Sequence, residues 1–506
     1  MSNQSKNCRR IAVVGAGISG LAAAYRLSEL DPSAQICVFD SRPRTGGVLN
    51  TIIKDGLEIE EGADNFITTV PWGLNLCSRL GISDKLVTTS SQYRQTFVVF
   101  RNRLHKLPDG FMMMAPTQMW PLATTGLLSP LGKLRAGLEL FLPRKKDDLD
   151  ESMANFGRRR LGKEVFERLI EPLVSGVYGA DLEKLSVLAT LERFRQMEKE
   201  HRSLILAMRA EMSKRRKAAR DAKIAEKAGV ESGPRYSMFV TLKGGFSLLA
   251  NTVEQKLPPG TFRLNCKITQ MTQEPGANGQ VLWRLNWTDN QSGNQAHQHD
   301  WTELFDAVIM SAPSYDAAVL LRSTNAPLAE LLANIAHSGT AIASMAFKNP
   351  QIGHPMDGMG AVVPKIENTP ILAMSFSTHK YPHRSPEGTQ LIRVFAGGAR
   401  DESLAVMPDD QLVPLLVEKM RPLLKITGQP YAVHTAHWPN TMPQYYVGHL
   451  DRVAEIERFV SQIPGLELAG NSYRGVGVPV CIHSGEQAAE KTMEYLNQNS
   501  GNINHE

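Results

Sequence analysis

The chain has few cysteines and none of them come in pairs that matter. Cys8, Cys37, Cys77, Cys266 and Cys481 are scattered over 506 residues without a C-x-x-C. That excludes a disulfide framework and a zinc knuckle, and it fits a reducing, cytoplasmic compartment. Charge of one sign is also scarce: the net charge is only +5, so no nucleic-acid footprint is expected. Long apolar runs are missing as well. The charge-free stretch from Phe111 to Gly132 is interrupted by Pro116, Pro121, Gly126 and Pro130, so it cannot form one regular membrane-spanning helix. No Ser-His-Asp, Cys-His or paired-carboxylate constellation emerges. His434 with His437, and His379 with His383, lack the companion ligands of a metal site and read as ordinary surface or core histidines.

What the chain does have is glycine in telling places. Ile11-Ala-Val-Val-Gly15-Ala-Gly17-Ile18-Ser19-Gly20 reads as a buried strand, a tight turn and the start of a helix. A second apolar run, Ile36-Cys-Val-Phe39, ends on Asp40 and Ser41. In this pattern Gly15 permits the turn, Gly17 lets backbone approach a pyrophosphate, and Gly20 allows helix and strand to pack closely. The helix N-terminus favours phosphate, and Asp40 accepts hydrogen bonds from ribose hydroxyls. The arginine-glycine loop Arg42-Pro-Arg44-Thr-Gly46-Gly47 follows, with Arg44 placed to neutralise a diphosphate. Gly56 to Asp64 then reads as a strand closing in the small-residue turn Gly62-Ala63. Arg9-Arg10 before an uncharged run mimics a leader peptide, but the glycine spacing argues for a strand and helix that are retained.

A second glycine-rich fingerprint stands far downstream, at Gly470-Asn-Ser-Tyr-Arg-Gly-Val476-Gly477-Val478-Pro479. It reads as strand, loop and helix, with the helix amides facing the electron-rich edge of a ring. Leu204, Met208 and Met212 at spacing four predict another helix, from Leu204 to Lys227, whose basic run reads as a solvated face.

Taken with Phe166-Glu-Arg-Leu-Ile-Glu-Pro-Leu-Val-Ser-Gly176-Val-Tyr178 and Thr241-Leu-Lys-Gly-Gly-Phe246, these motifs resemble the FAD-dependent porphyrinogen oxidases of haem biosynthesis. That family comprises protoporphyrinogen and coproporphyrinogen III oxidases within the monoamine-oxidase-like flavoproteins. The resemblance implies an α/β fold. Its parts are a Rossmann-like FAD-binding domain of glutathione-reductase type, a mixed α+β substrate domain, and a helical, membrane-facing lobe. It places the FAD domain at 1–92, 238–313 and 455–506, the substrate domain at 93–108, 200–237 and 314–454, and the lobe at 109–199. Ile268 would lie where the family's backbone meets adenine, and Gly176 against the macrocycle, its other use being a helix C-cap. The family often binds propionate with an arginine where this chain has Thr96. Arg94, two residues earlier and so on the same face of an extended strand, stands in for it.

The implied partners are a porphyrinogen and molecular oxygen, with non-covalent FAD as cofactor. They extend to the membrane surface and a neighbouring haem-pathway enzyme, and the chain would act as a monomer or a homodimer. Ala115 to Pro121, Leu134 to Gly137 and His201 to Ile205 look most like the soluble bacterial branch, which favours the tetra-propionate substrate or acceptance of both porphyrinogens. Two alternatives stay open: an amine-oxidase or carotenoid-desaturase type of flavoprotein, and a flavin-free binding protein of the same fold.

Overall fold

The computed structural model describes residues 8–227, 238–276, 280–289 and 299–501. Five parallel strands form its first layer, in the order Phe262–Arg263, Gln35–Phe39, Arg10–Val14, Ala307–Met310 and Leu466–Leu468. Strands buried on both faces need apolar side chains at every position, and Ile11, Ala12 and Val13 are fully buried. One face carries the helices Ile18–Leu30 and Val478–Gly501. These cross so closely that a Cβ on Gly485 would lie 2.0 Å from the Ser19 carbonyl oxygen. The opposite face packs on an antiparallel meander of Cys266–Pro275, Val281–Asp289 and His299–Phe305, through Trp283, Leu285 and Phe305.

A second, seven-stranded sheet runs in the order Ala432–Pro443, His337–Lys348, Thr389–Gly397, Ile371–Phe376, Gly360–Val362, Thr96–Phe100 and Arg103–Lys106. Side chains alternate along each strand. Met345, Ile392, Val394 and Met374 therefore point to one face and pack on the helix Asp409–Leu424. The other face turns toward the glycine-rich turns of the first sheet.

The third body is helical and has its own core around Phe156, Leu169 and Phe194. Its Phe166–Ile170 turn is π-helical and runs into the helix Glu171–Tyr178, which stops at Gly179 with φ of +55°. Buried Glu139 accepts from the Arg160 guanidinium, the Ser203 hydroxyl and the Leu204 N–H, the last at 2.8 Å, and so fixes where the next helix begins.

Two segments sit differently from the expected division. The helix Leu204–Lys227 has the predicted bounds, but Leu204 and Met208 are buried in the lobe's core rather than on the substrate sheet. The helices Ser314–Leu321 and Ala326–Ala333 pack Ala317, Leu321, Leu328 and Leu332 against the meander, within the nucleotide-binding half. Both have apolar faces that record burial but not the partner that buries them. The 228–237 stretch, expected in the substrate domain, lies outside the described residues. No helix among them is long and apolar enough to cross a membrane.

Candidate flavin site

The adenosine-diphosphate end is built on the first strand. Gly15 has φ of +108°, and a Cβ there would lie 2.9 Å from the Ser311 carbonyl oxygen, so only glycine fits the turn. A Cβ on Gly20 would lie 1.9 Å from the Gly15 carbonyl oxygen, which fixes the helix against the strand. Gly17 is different: a Cβ there would meet no protein atom within 4 Å. It begins the helix Ile18–Leu30 with no side-chain cap, so the first N–H groups face open space, an anion-binding arrangement. Ile18 and Ser19 are buried behind that opening.

Asp40 Oδ2 accepts from the Ala16 N–H and Oδ1 from the Arg42 N–H, each at 2.8 Å. Each carboxylate oxygen keeps a second lone pair for a ribose hydroxyl. The carboxylate thus shapes the glycine turn as well as offering itself to a ligand, and Ser41 is exposed beside it. The Asp40 carbonyl accepts from the Cys266 N–H at 2.9 Å. This brings buried Ile268, two residues further on, alongside the same strand end.

The Arg42–Gly47 loop lies along the turn. Gly46 donates to the Ala16 carbonyl at 2.8 Å, and a Cβ on Gly47 would lie 3.1 Å from the Gly17 Cα. Arg44 donates to the Thr45 carbonyl at 3.1 Å and stands 3.7 Å from Glu61. Burial lowers its pKa, and Glu61 opposes that.

The ring end is formed by Gly62, Ala63 and the downstream loop. A Cβ on Gly62 would lie 2.1 Å from the Val48 carbonyl oxygen. Among the described residues no acceptor takes the N–H of Gly62 or Ala63. Gly470 has φ of +129°, and a Cβ there would meet nothing within 4 Å; at Gly477 it would meet only Pro479 Cδ at 3.9 Å. Val476 and Gly477 lead into Val478, the first residue of the last helix. Two helix N-termini and free backbone donors thus converge around open glycine surfaces. That donor set fits a flavin dinucleotide: phosphates on the first helix, and the ring's acceptor edge on the Gly62-Ala63 turn and the last helix.

Strand register defines the surface facing this cradle. Thr96, Gly360, Ser375, Arg393, Ser344 and His434 are direct cross-strand partners, one polar row across six strands. The adjacent row is Val98, Val362, Ala373, Phe395, Ile342 and Ala436, which is apolar. A Cβ on Gly176 would come 3.6 Å from Val362 and 3.8 Å from Ala373, so this glycine lies over the apolar row. It lies inside its helix and Gly179 is the cap, which corrects the C-cap reading of Gly176. Arg94 is exposed and lies outside the Thr96–Phe100 strand, so the alternation argument for its facing does not apply.

Sequence reasoning missed a buried ion cluster behind the Gly62-Ala63 turn. Asp64 lies 3.0 Å from Lys380 and 3.3 Å from Arg393. Arg384 reaches Glu60 at 3.1 Å and the Thr241 hydroxyl at 2.7 Å. Burial would raise the Asp64 carboxyl, but Lys380, Arg393 and Arg384 outweigh it and hold it far below the usual carboxylate range. Glu60 goes the other way: burial, only partly offset by Arg384, lifts it to about 7. One signal was available, since Leu391-Ile-Arg393-Val-Phe395 sets an arginine inside an apolar strand. The histidines have ordinary partners: His434 contacts Glu61 at 2.8 Å and His437 contacts Asp409 at 2.7 Å. No group that could hold a metal ion occurs among the described residues.

A doubly glycine-gated dinucleotide cradle facing an open sheet defines a flavin-dependent oxidoreductase fold. The chain belongs to the flavin containing amine oxidoreductase family, whose sequence profile matches residues 18–493. It is 32% identical over 493 residues to a coproporphyrinogen III oxidase of Bacillus subtilis, covering 96% of this chain and 98% of the relative. It is 29% identical over 500 residues to protoporphyrinogen oxidase 2 of Arabidopsis thaliana, covering 96% and 94%. A crystal structure assigned to protoporphyrinogen oxidase, from Exiguobacterium sp. 255-15, superposes with a TM-score of 0.81 at 27% identity, covering 98% of this chain and all of that one. The sequence-based expectations of an FAD-binding α/β fold and an oxidoreductase agree with these findings.

Proposed function

We propose that this chain oxidises a porphyrinogen to the corresponding porphyrin in haem biosynthesis, with molecular oxygen as final acceptor and hydrogen peroxide as product. The full-length likeness to a coproporphyrinogen III oxidase carries the reading. The apolar row Val362-Ala373-Phe395-Ile342 under Gly176 supports it, because a greasy macrocycle needs a flat, water-poor floor. When bound, FAD supplies a two-electron acceptor, so a six-electron oxidation takes three rounds. The protein's part is orientation: the sheet face beside Gly176 holds the ring plane, and the apolar row keeps water from the bridge carbons. Gly15, Gly17, Gly20, Asp40, Arg44, Gly46 and Gly47 serve the dinucleotide, and Gly62, Ala63, Gly470, Val476, Gly477 and Val478 the ring end.

The preferred substrate is coproporphyrinogen III, since the relative bearing that name is 32% identical and the one named for protoporphyrinogen 29%. Steady-state kcat/KM with both porphyrinogens tests this. A higher value for coproporphyrinogen III is expected; equal values overturn the preference, and no turnover with either overturns the function. Arg94 is the cation offered to propionate. Arg94→Ala should raise KM with kcat unchanged, the signature of lost ground-state binding.

The helical lobe supplies the membrane-facing surface. Trp120 and Leu131 are 78% exposed and Phe141 74% exposed, with Lys133, Arg144 and Lys145 nearby in the chain. Such a face suits an anionic bilayer surface. Co-sedimentation with phosphatidylglycerol vesicles should fall sharply in a Trp120→Glu, Leu131→Glu double variant. Equal binding by parent and variant overturns this part.

A further inference from the structure

Three carbonyls of the Glu61–Asp64 turn are held from the other half of the molecule. Trp438 Nε1 donates to the Glu61 carbonyl at 2.6 Å, Arg393 Nη2 to the Gly62 carbonyl at 2.6 Å, and Arg384 Nη2 to the Asp64 carbonyl at 3.2 Å. Three carbonyls of one short turn are thus gripped by side chains that the substrate sheet and its flanking loop supply. The N–H groups of Gly62 and Ala63 have no acceptor among the described residues.

The charges behind the turn are unevenly spent. Lys380 and Arg393 converge on Asp64, while Arg384 faces Glu58 and Glu60, and burial lifts Glu60 to about 7, so the three cations outweigh the ionised carboxylates there. Arg393 is 1% exposed; its Nη1 stands 3.3 Å from Asp64 Oδ2, and its Nε has no hydrogen-bond partner among the described residues. A buried guanidinium with an unspent donor is costly to keep. A purely mechanical link between two sheets could be made with apolar contacts. The surplus positive charge has a use if electron density arrives on the far side of the turn.

We propose that Arg393, held by Asp64 beside Lys380, is a positioning residue for the flavin, which fixes the Gly62-Ala63 turn and favours reduced over oxidised cofactor. The inference rests on the flavin site described above. It makes the substrate sheet a participant in the cofactor's electronics. Opposite charge in a low-dielectric interior acts over the few ångströms of one turn far more strongly than at the surface.

The midpoint potential of bound FAD, measured by dye equilibration on the holoenzyme, reads this directly. Lys380→Met removes a charge while leaving the Arg393 bond to Gly62, and should lower the preference for reduced flavin about tenfold, or about 30 mV for a two-electron couple. Arg393→Met should lower it at least as far and also weaken FAD affinity, followed by fluorescence. Arg393→Lys should recover the potential but not the affinity, because the ammonium keeps the charge and loses the fork. If Arg393→Met does not fold, the Lys380→Met potential decides alone. An unchanged potential in Lys380→Met, with only the melting temperature lowered, reduces the cluster to a structural clamp and overturns the proposal. A parent protein that takes up no FAD overturns the cofactor reading itself.

Discussion

Glycines in this chain divide by what a methyl group would meet. At Gly485 it would meet the Ser19 carbonyl oxygen at 2.0 Å, and at Gly17 nothing within 4 Å. Gly485→Ala should therefore cost stability, about 1–3 kcal/mol or more as the two helices are forced apart, which chemical denaturation would show. Gly17→Ala should leave the apoprotein's melting temperature unchanged and weaken FAD binding by at least roughly tenfold, because the methyl would enter the space reserved for phosphate. A lowered apoprotein stability in that variant would contradict the reading. Glu60 gives a pH signature. Its folded pKa of about 7 is above the ordinary carboxylate value, so between the two the folded state holds a proton that the unfolded chain has lost. Stability from this group thus falls as pH rises through that window. Glu60→Gln should flatten the decline of melting temperature between about pH 5 and pH 8. Residues such as Gly15 and Asp40 were legible because their spacing alone encodes the turn. Asp64 and Lys380 were not, since 316 positions separate them and neither belongs to a local pattern.

Among elements, legibility follows how local the cause is. The helix Leu204–Lys227 appears with its predicted bounds, because spacing-four apolar residues state a helix outright. Which core receives it was not stated, since a stripe of leucine and methionine fits any apolar surface. The strand Thr96–Phe100 shows the opposite limit. Its apolar run and its start at Thr96 were legible, but whether pairing reached back to Arg94 was not, and Arg94 falls outside it. Pairing decides strand ends, and here the partner is Gly360–Val362, far off in sequence. The polar row from Thr96 to His434 exists only through that pairing, so no single strand reveals it. An element-scale test is available at the Glu171–Tyr178 helix. Gly176→Ala would place its methyl at ordinary contact distance from Val362 and Ala373, so folding should be preserved. Its effect should appear in the KM for the porphyrinogen, and a loss of stability without a change in KM would mark Gly176 as structural.

At the scale of the molecule, the domains are interleaved rather than strung in order. The five-stranded sheet takes strands from near residues 10, 35, 262, 307 and 466, and the substrate sheet fills the intervals. The overall architecture was legible from the glycine fingerprints and the family resemblance. The exact seams were not, because the helices at Ser314–Leu321 and Ala326–Ala333 bury against the meander through side chains that would suit either half. Since the turn that would meet FAD is gripped by Arg393 and Trp438 of the substrate sheet, saturating cofactor should stabilise the whole as one unit. At a hundred times its dissociation constant the gain is about 2.7 kcal/mol, visible as one sharpened melting transition; two separate transitions would show the halves to be uncoupled.

The cradle needs both Gly15–Gly20 and the Gly470–Val478 loop, and these belong to the first and last strands of one sheet. A ribosome delivers the first of them long before the second. The nascent chain therefore presents half a cofactor site until more than four hundred further residues have been made, and can close it only after the strand Leu466–Leu468 has slotted in beside Ala307–Met310. Yellow colour in a preparation of this protein is accordingly a report that translation ran past Val478: a chain halted anywhere before that strand would remain colourless.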